Sequence, residues 1–113
     1  MRILGFSKKW PKLEQPEFTT FRFARNDKDW EVGEAVQVVY KPRSKGREPL
    51  GNAQIISKES RDCGALTKEE AIEDGFVSRF EMFAWITRVH GTRWAYEEMN
   101  KLTLEWIQED ERL

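Results

Sequence analysis

Short segments in which hydrophobic and polar residues alternate predict most of the regular structure of this chain. Such alternation is typical of β-strands that bury one face. In residues 18–24 (FTTFRFA), Phe21 and Phe23 share one face, whereas Thr20 and Arg22 share the other. The same pattern, or a run of β-branched residues, predicts further strands over residues 2–7, 35–40, 52–57 and 101–107. Proline, glycine and charged residues predict loops or turns over residues 8–16 (a loop or a short helical turn), 26–29 and 41–51.

Two helices are predicted in the second half of the chain. Thr67 and Ser78 are each followed three residues later by a glutamate, the spacing at which a hydroxyl and a carboxylate cap the first turn of a helix. Gly75 and Gly91 stand where a left-handed residue ends a helix. The predicted helices cover residues 67–74 and 78–90. The second carries an apolar stripe that we expect to pack on the sheet, made of Met82, Phe83, Trp85, Ile86 and Val89.

This order of elements predicts one α+β domain over residues 1–113. Its antiparallel sheet of five or six strands is expected to curl into a barrel that carries the two short helices. A domain of this length buries roughly two-thirds of the surface of its unfolded chain, so one core is sufficient without disulfides.

The small number of reactive side chains limits the chemistry. Cys63 is the only cysteine and His90 the only histidine, which removes Cys/His zinc clusters and makes a Ser/His/Asp triad improbable. We therefore expect no metal and no cofactor, and an inert thiol in a reducing compartment. The apolar run at the N-terminus is too short for a signal peptide or a membrane span, so a cytoplasmic protein without a membrane partner is predicted. The oligomeric state stays open.

Charge is distributed unevenly along the chain. Residues 1–62 contain 13 Lys and Arg against 9 Asp and Glu, whereas residues 63–113 contain 6 against 11. A basic half beside an acidic half favours a protein with one surface that faces an anion, although moderate asymmetry also arises by chance.

The loop 41–47 concentrates positive charge. Its four cations are Lys41, Arg43, Lys45 and Arg47. Such cations bind phosphates without reading a sequence, and the alternative is an ordinary solvated loop. Tyr40 at the base of this loop, and Trp30 before the next strand, are candidates for stacking on bases. Both also suit the core or its rim, which is the preferred interpretation for Trp30.

Arg22 and Thr20 form a second group of candidate ligand-binding residues on the predicted strand 18–24. If their face lines a cleft, the planar guanidinium of Arg22 grips a phosphate or carboxylate by paired hydrogen bonds, and Thr20 bonds a base edge. The alternatives are an exposed or internally paired arginine and an ordinary strand threonine.

Three stretches resemble the ASCH family of the PUA-like superfamily. They are WEVGEAVQV (residues 30–38), LGNAQI (residues 50–55), and EEAIEDGF (residues 69–76) with Ser78 and EMFAW (residues 81–85). The last stretch is the most specific, and all of them lie within residues 30–106, which form most of the chain. The resemblance implies a PUA-like pseudobarrel whose cleft, beside the helices, holds a base or nucleotide.

The resemblance also bears on catalysis, because some ASCH members resemble amidohydrolases that act on N4-acetylcytidine with a lysine, a threonine and an acidic residue. The family motif G-x-K-x-x-[ET]-x-R, aligned on Arg22, keeps Thr20 but places Gln15 and Glu17 where glycine and lysine are expected. Glu17 lacks the cationic role of that lysine. Lys8 or Lys12 could reach in from the preceding loop, and Asp74 could supply the acid or simply end a helix. We therefore expect hydrolysis to be absent or very slow.

Three functions follow from these observations. The first is a binding module for RNA or a nucleotide, which uses Arg22 and the loop 41–47. The second is an enzyme that acts on a nucleoside or RNA in the same cleft, of the ASCH amidohydrolase or ribonuclease type. The third is a protein-interaction or regulatory domain. A cleft with convergent polar groups around Thr20 and Arg22 would favour a ligand, and a cleft filled by aromatic side chains would favour the interaction domain.

Overall fold

The computed structural model describes residues 1–25, 27–62, 66–91 and 98–107, so the predicted turn residue Asn26 and the lone Cys63 lie outside the described residues. In chain order the elements are β1 (Arg2–Phe6), a 3₁₀ helix (Pro11–Glu14), β2 (Glu17–Phe23), β3 (Ala35–Tyr40), β4 (Glu48–Asp62), α1 (Lys68–Glu73), α2 (Arg79–His90) and β5 (Glu98–Trp106). No helix in this part of the chain has the length and apolar content needed to cross a membrane.

The strands form one curled half-barrel sheet in the order β1-β3-β4-β5-β2, which confirms the predicted α+β fold with two short helices. Antiparallel pairing joins β3 to β4, β4 to β5 and β5 to β2. The pairing of β1 with β3 is parallel instead. Register shifts at Val38/Val39 and at Ile55/Ser57 interrupt the ladders, and such irregularities bend a sheet.

β4 is longer than predicted. The sequence predicts a strand over residues 52–57 after a loop that continues to residue 51, but the strand runs from Glu48 to Asp62 and the loop ends at residue 47. Residues 58–62 contain only polar and charged side chains, so no hydrophobic alternation marks them as strand. They are extended because they pair with the first half of β5, which a sequence pattern does not display.

The core lies on the concave side of the curled sheet. Inward-facing residues of every strand contribute to it together with α2, as the alternation predicts. Its fully buried side chains include Leu4, Val36, Val38, Ile55, Met82, Leu102 and Leu104. Trp30 also belongs to the core, as the preferred interpretation of the sequence has it.

The capping residues start both helices where the sequence predicts. The Thr67 hydroxyl accepts a hydrogen bond from the Glu70 N–H, and the Glu70 carboxylate accepts one from the Thr67 N–H, both at 3.1 Å. In α2 the box is only half formed. The Ser78 hydroxyl accepts from the Glu81 N–H at 3.1 Å, but the Glu81 carboxylate accepts from Val77 at 3.4 Å.

Gly75 sets the direction of the chain after α1. Its φ angle of 106° lies in the left-handed region that favours glycine. A Cβ atom at this position would also lie 3.0 Å from the Trp10 ring. The turn therefore requires glycine for two reasons, and it fixes the preceding residue, Asp74, at the end of α1.

The buried face of α2 is narrower than the predicted stripe. Met82 and Ile86 are buried, and Phe83 and Trp85 are partly buried against the core. Val89 is half exposed, so it contributes less to packing than the pattern indicates. On the opposite face Phe80 is 83% exposed.

Glu70 attaches α1 to the sheet. Its carboxylate accepts hydrogen bonds from Arg61 of β4 and Lys101 of β5, each at 3.1 Å. Desolvation acts to raise the pKa of Glu70, but the Thr67 N–H and these two cations outweigh it and lower the pKa to about 2. The ionised carboxylate thus holds α1, and Asp74 at its end, in place.

The two faces of α2 should respond very differently to truncation. Met82→Ala removes a side chain that is 1% exposed, and we expect a loss of about 2–5 kcal/mol in the free energy of unfolding. Phe80→Ala removes a larger but exposed ring and should change that free energy by no more than about 0.5 kcal/mol. Urea unfolding of both variants measures the difference. Equal losses would show that α2 does not pack through the Met82 face.

Glu70 should also make the protein sensitive to acid. Because its pKa is lower in the folded state than its ordinary value of 4.5, its stabilisation is complete above about pH 5 and is lost as the pH falls toward 2. Over this range the parent should lose about 2 kcal/mol more of its unfolding free energy than Glu70→Gln loses. Urea unfolding at pH 5 and near pH 2 measures the loss. Glu69→Gln, on the exposed side of α1, is the control and should lose as much as the parent.

Candidate functional site

A cleft lies between β1 and β2, the two edge strands of the sheet. These strands curl toward each other but do not pair. The cleft has a volume of about 1040 Å³. Ile3 and residues 5–7 border it on the β1 side, and residues 20–25 border it on the β2 side. Helix α2 and the loop 41–47 complete its walls.

Arg22 bridges the two edges. Its Nη2 donates a hydrogen bond to the carbonyl oxygen of Gly5 at 2.8 Å, and its Nε donates to the hydroxyl of Thr20 at 3.1 Å. The guanidinium carbon lies 4.7 Å from the centroid of the Phe6 ring. Arg22 is therefore internally bonded and not fully exposed. Its hydrogen-bond partners are a carbonyl and a hydroxyl, not a carboxylate.

The environment of Arg22 is unusual for a cation. Desolvation lowers its pKa to about 10, and the negative charge of Asp74 partly opposes this effect. Arg22 is still protonated at neutral pH. It presents a fixed, partly desolvated positive charge beside Thr20, which is buried.

Lys12 and Asp74 form an ion pair in the same cleft. Lys12 Nζ lies 2.7 Å from Asp74 Oδ1, and the two side chains are only 7% and 9% exposed. Lys12 comes from the 3₁₀ helix, which Pro11 begins, and Asp74 comes from the end of α1. Burial lowers the pKa of Lys12 and raises the pKa of Asp74, while their mutual attraction opposes both shifts.

The ion pair shows which of the two candidate lysines, Lys8 or Lys12, reaches into the cleft. Lys12 reaches into the cleft, whereas the ammonium of Lys8 lies 4.3 Å from the Trp10 ring centroid and does not line the cleft. Glu17 is exposed and pairs with Glu105 at the start of β2. Asp74 ends α1 and faces the cleft at the same time, so its two interpretations are compatible.

The pair has unused hydrogen-bonding capacity. Within the described residues, the bond to Lys12 is the only side-chain hydrogen bond of Asp74, and it engages Oδ1. Asp74 Oδ2 and the other N–H groups of Lys12 therefore remain for a ligand. Asp74 Oδ2 is not a buried atom without a partner, because Thr19 Oγ1 alone is in that state among the described residues. It is therefore open to the cleft, where a ligand can donate a hydrogen bond to it.

Aromatic rings surround the ion pair. Trp10 packs against Phe76 at 5.1 Å and against Trp85 at 5.6 Å between ring centroids, and all three rings line the cleft. The sequence predicts Trp85 as core, and it is instead half-buried with one side toward the cleft. Trp10 and Phe76 were not expected at the site, since neither lies in a regular pattern.

The basic loop contributes three of its four cations to the cleft. Lys41, Arg43 and Arg47 line it, and no carboxylate of the described residues lies within salt-bridge distance of them. Two successive turns shape the loop, and Lys41 N–H donates to the Phe6 carbonyl of β1 at 2.8 Å. The fourth cation, Lys45, is exposed and lies outside the cleft lining.

Tyr40, at the base of the loop, also lies outside the cleft lining. The ammonium groups of Lys9 and Lys41 lie 5.1 and 5.4 Å from the centroid of its ring. The structure therefore brings Thr20, Arg22, Lys41, Arg43 and Arg47 together, and it separates Tyr40 and Lys45 from them.

Comparison with protein-family models, with curated proteins and with solved structures finds no match for this chain. The resemblance to the ASCH family therefore stays a prediction from the motifs. Over the same described ranges, no three His, Cys, Asp or Glu side chains are grouped as metal ligands would be.

The ion pair should be strongly coupled in stability. Asp74→Asn leaves the buried Lys12 charge without a counter-charge, so we expect a loss of about 3–5 kcal/mol in the free energy of unfolding. The double variant Lys12→Met/Asp74→Leu removes both charges and should be more stable than Asp74→Asn. Urea unfolding of the parent, Lys12→Met, Asp74→Leu and the double variant completes the cycle. Additive losses would contradict a direct buried contact.

Proposed function

We propose that the protein binds RNA or a nucleotide in the cleft between β1 and β2. The observation that carries this proposal is the convergence of three loop cations, Arg22 and a buried ion pair on one cleft with aromatic walls. Convergent polar groups around Thr20 and Arg22 favour a ligand site, whereas a cleft filled by aromatic side chains would favour an interaction domain. The aromatic rings here form walls around an open volume.

Each part of the cleft suits one part of a nucleotide. Lys41, Arg43 and Arg47 lie at the rim without carboxylate partners among the described residues, so a phosphate neutralises them and releases counterions. The rings of Trp10 and Trp85 offer apolar and aromatic surface to a base or sugar. A nucleobase edge has adjacent donor and acceptor atoms, which complement Asp74 Oδ2 and the free N–H groups of Lys12.

Arg22 and the loop cations have different roles in ligand binding. Its position is fixed by Gly5, Thr20 and the Phe6 ring, so it presents the remaining N–H groups of its guanidinium in one orientation. A fixed planar donor distinguishes ligands by shape as well as charge. The exposed cations of the loop supply affinity with little discrimination.

A second candidate function is hydrolysis of an amide on a nucleobase, and the placement of Lys12 favours it. The resemblance to ASCH amidohydrolases implies catalysis by a lysine, a threonine and an acidic residue. Lys12, Thr20 and Asp74 all line this cleft. Burial lowers the pKa of Lys12, so a larger fraction of the amine is unprotonated and available to accept a proton. Against this function, Lys12 does not occupy the motif position of the family lysine, where Glu17 stands.

Assay with N4-acetylcytidine separates the two functions. The binding function predicts that turnover is absent or very slow. The second function predicts turnover that is lost in Lys12→Met and kept in the control Lys8→Met, because only Lys12 reaches the cleft. Turnover that survives removal of both lysines would contradict the role given to Lys12 and the expectation of inactivity drawn from Glu17.

Titration of labelled single-stranded RNA at two salt concentrations tests the binding function. Arg43→Ala should weaken all sequences alike and reduce the salt slope by about 0.7, the value for one neutralised phosphate on a single strand. Lys45→Ala is the matched control, since it removes a cation of the same loop that lies outside the cleft. Its slope should stay close to that of the parent.

Arg22→Lys tests discrimination in the same titration, because it keeps the charge and removes the planar fork. We expect a changed preference among RNA sequences and nucleotides in addition to weaker binding. If neither RNA nor a nucleotide binds at low salt, the nucleic-acid function fails and the interaction-domain hypothesis replaces it.

A further inference from the structure

The cleft has a second aromatic and cationic cluster, at a distance from the Lys12–Asp74 pair. Phe23 of β2 and His90 of α2 meet edge to face, with ring centroids 5.1 Å apart and an interplanar angle of 83°. Both rings line the cleft, and so does the side chain of Arg25. His90 and Arg25 are exposed, so this cluster is accessible to a ligand.

The contacts of the edge strands place the two clusters at opposite ends of the cleft. At one end Lys12 Nζ lies 5.6 Å from the centroid of the Phe6 ring, and the Phe6 carbonyl accepts a hydrogen bond from the Lys41 N–H. At the other end the guanidinium groups of Arg2 and Arg25 lie 4.5 and 5.4 Å from the Trp30 ring centroid. The sequence positions agree, since Arg2 begins β1 and Arg25 follows the end of β2.

The cleft is longer than the rise of one stacked nucleotide. The cleft is lined on the β1 side by residues from Ile3 to Ser7, and four extended residue steps cover about 13 Å. Stacked nucleotides rise about 3.4 Å each along one strand. The volume of about 1040 Å³ lies just above the range of about 300–1000 Å³ for small-molecule pockets.

We propose that the cleft holds at least two successive nucleotides of a single-stranded RNA, laid along the gap between β1 and β2. This inference rests on the proposed binding function and specifies its ligand as an oligonucleotide. One nucleotide occupies the subsite of Lys12, Asp74 and Trp10, with a phosphate at the basic loop. The next lies at the second subsite, where its base contacts Phe23 and His90 and its phosphate meets Arg25.

The existing contacts of Arg25 do not prevent this arrangement. Arg25 pairs with Asp27 at 3.1 Å, but both side chains are exposed, and exposed ion pairs hold their partners weakly. A phosphodiester carries the same single negative charge as a carboxylate and accepts paired hydrogen bonds from a guanidinium, so it competes with Asp27 for Arg25. The edge of the Phe23 ring is already positioned by His90, so a base adds to a formed aromatic pair.

Binding of the 5′-phosphorylated adenylates pA, pApA and pApApA tests the inference. We expect pApA to bind at least about tenfold more tightly than pA, the increment that one added stacking base supplies. His90→Ala and Arg25→Gln should bring the affinity for pApA close to that for pA, and should leave pA binding unchanged. Arg79→Gln is the control, since it changes an exposed arginine of α2 outside the cleft lining.

The outcomes separate this inference from the function on which it rests. If pA and pApA bind equally well, or if His90→Ala weakens both equally, the two-subsite arrangement is wrong while nucleotide binding stands. If none of the adenylates binds, both fail. Thermal unfolding of each variant checks that the fold is intact, which we expect because His90 and Arg25 are exposed.

Discussion

The two edge strands of the sheet approach each other without pairing, and side chains close the gap between them. Arg22 of β2 donates to the Gly5 carbonyl of β1, and the Lys12–Asp74 ion pair ties the 3₁₀ helix before β2 to the end of α1. A closed ladder of backbone hydrogen bonds would leave no room here. Polar side chains connect the edges without backbone pairing, so an open cleft remains between them in an otherwise packed domain.

This arrangement places charge where it is costly for stability and useful for binding. A buried lysine and aspartate stabilise a fold less than apolar residues of the same size do, because both charges lose water. Both residues line the cleft together with Trp10 and with Lys41, Arg43 and Arg47 of the loop. The planar polar edge of a ligand would form hydrogen bonds with Lys12 and Asp74, and its phosphate would neutralise the loop cations. These interactions are the physical basis of the proposed function.

Local signals in the sequence predicted the fold well, and long-range contacts limited the prediction of the site. The capping box at Thr67 and the glycine at position 75 act within one helical turn, so both could be read directly. Lys12 and Asp74 are 62 residues apart, and no local pattern connects them. The parallel pairing of β1 with β3 and the polar end of β4 are likewise decided by neighbouring strands. Arg22 and the loop cations could be proposed as ligand contacts because charge on a strand face and in a proline- and glycine-containing loop is visible locally.

Amide chemical-shift mapping of the protein titrated with single-stranded RNA tests the central claim most directly. If the gap between β1 and β2 is the binding site, the largest changes will fall on Gly5, Thr20, Arg22, Asp74 and the loop 41–47. If the largest changes fall instead on the outer face of α2 around Phe80, the ligand binds elsewhere and the account of the cleft is wrong.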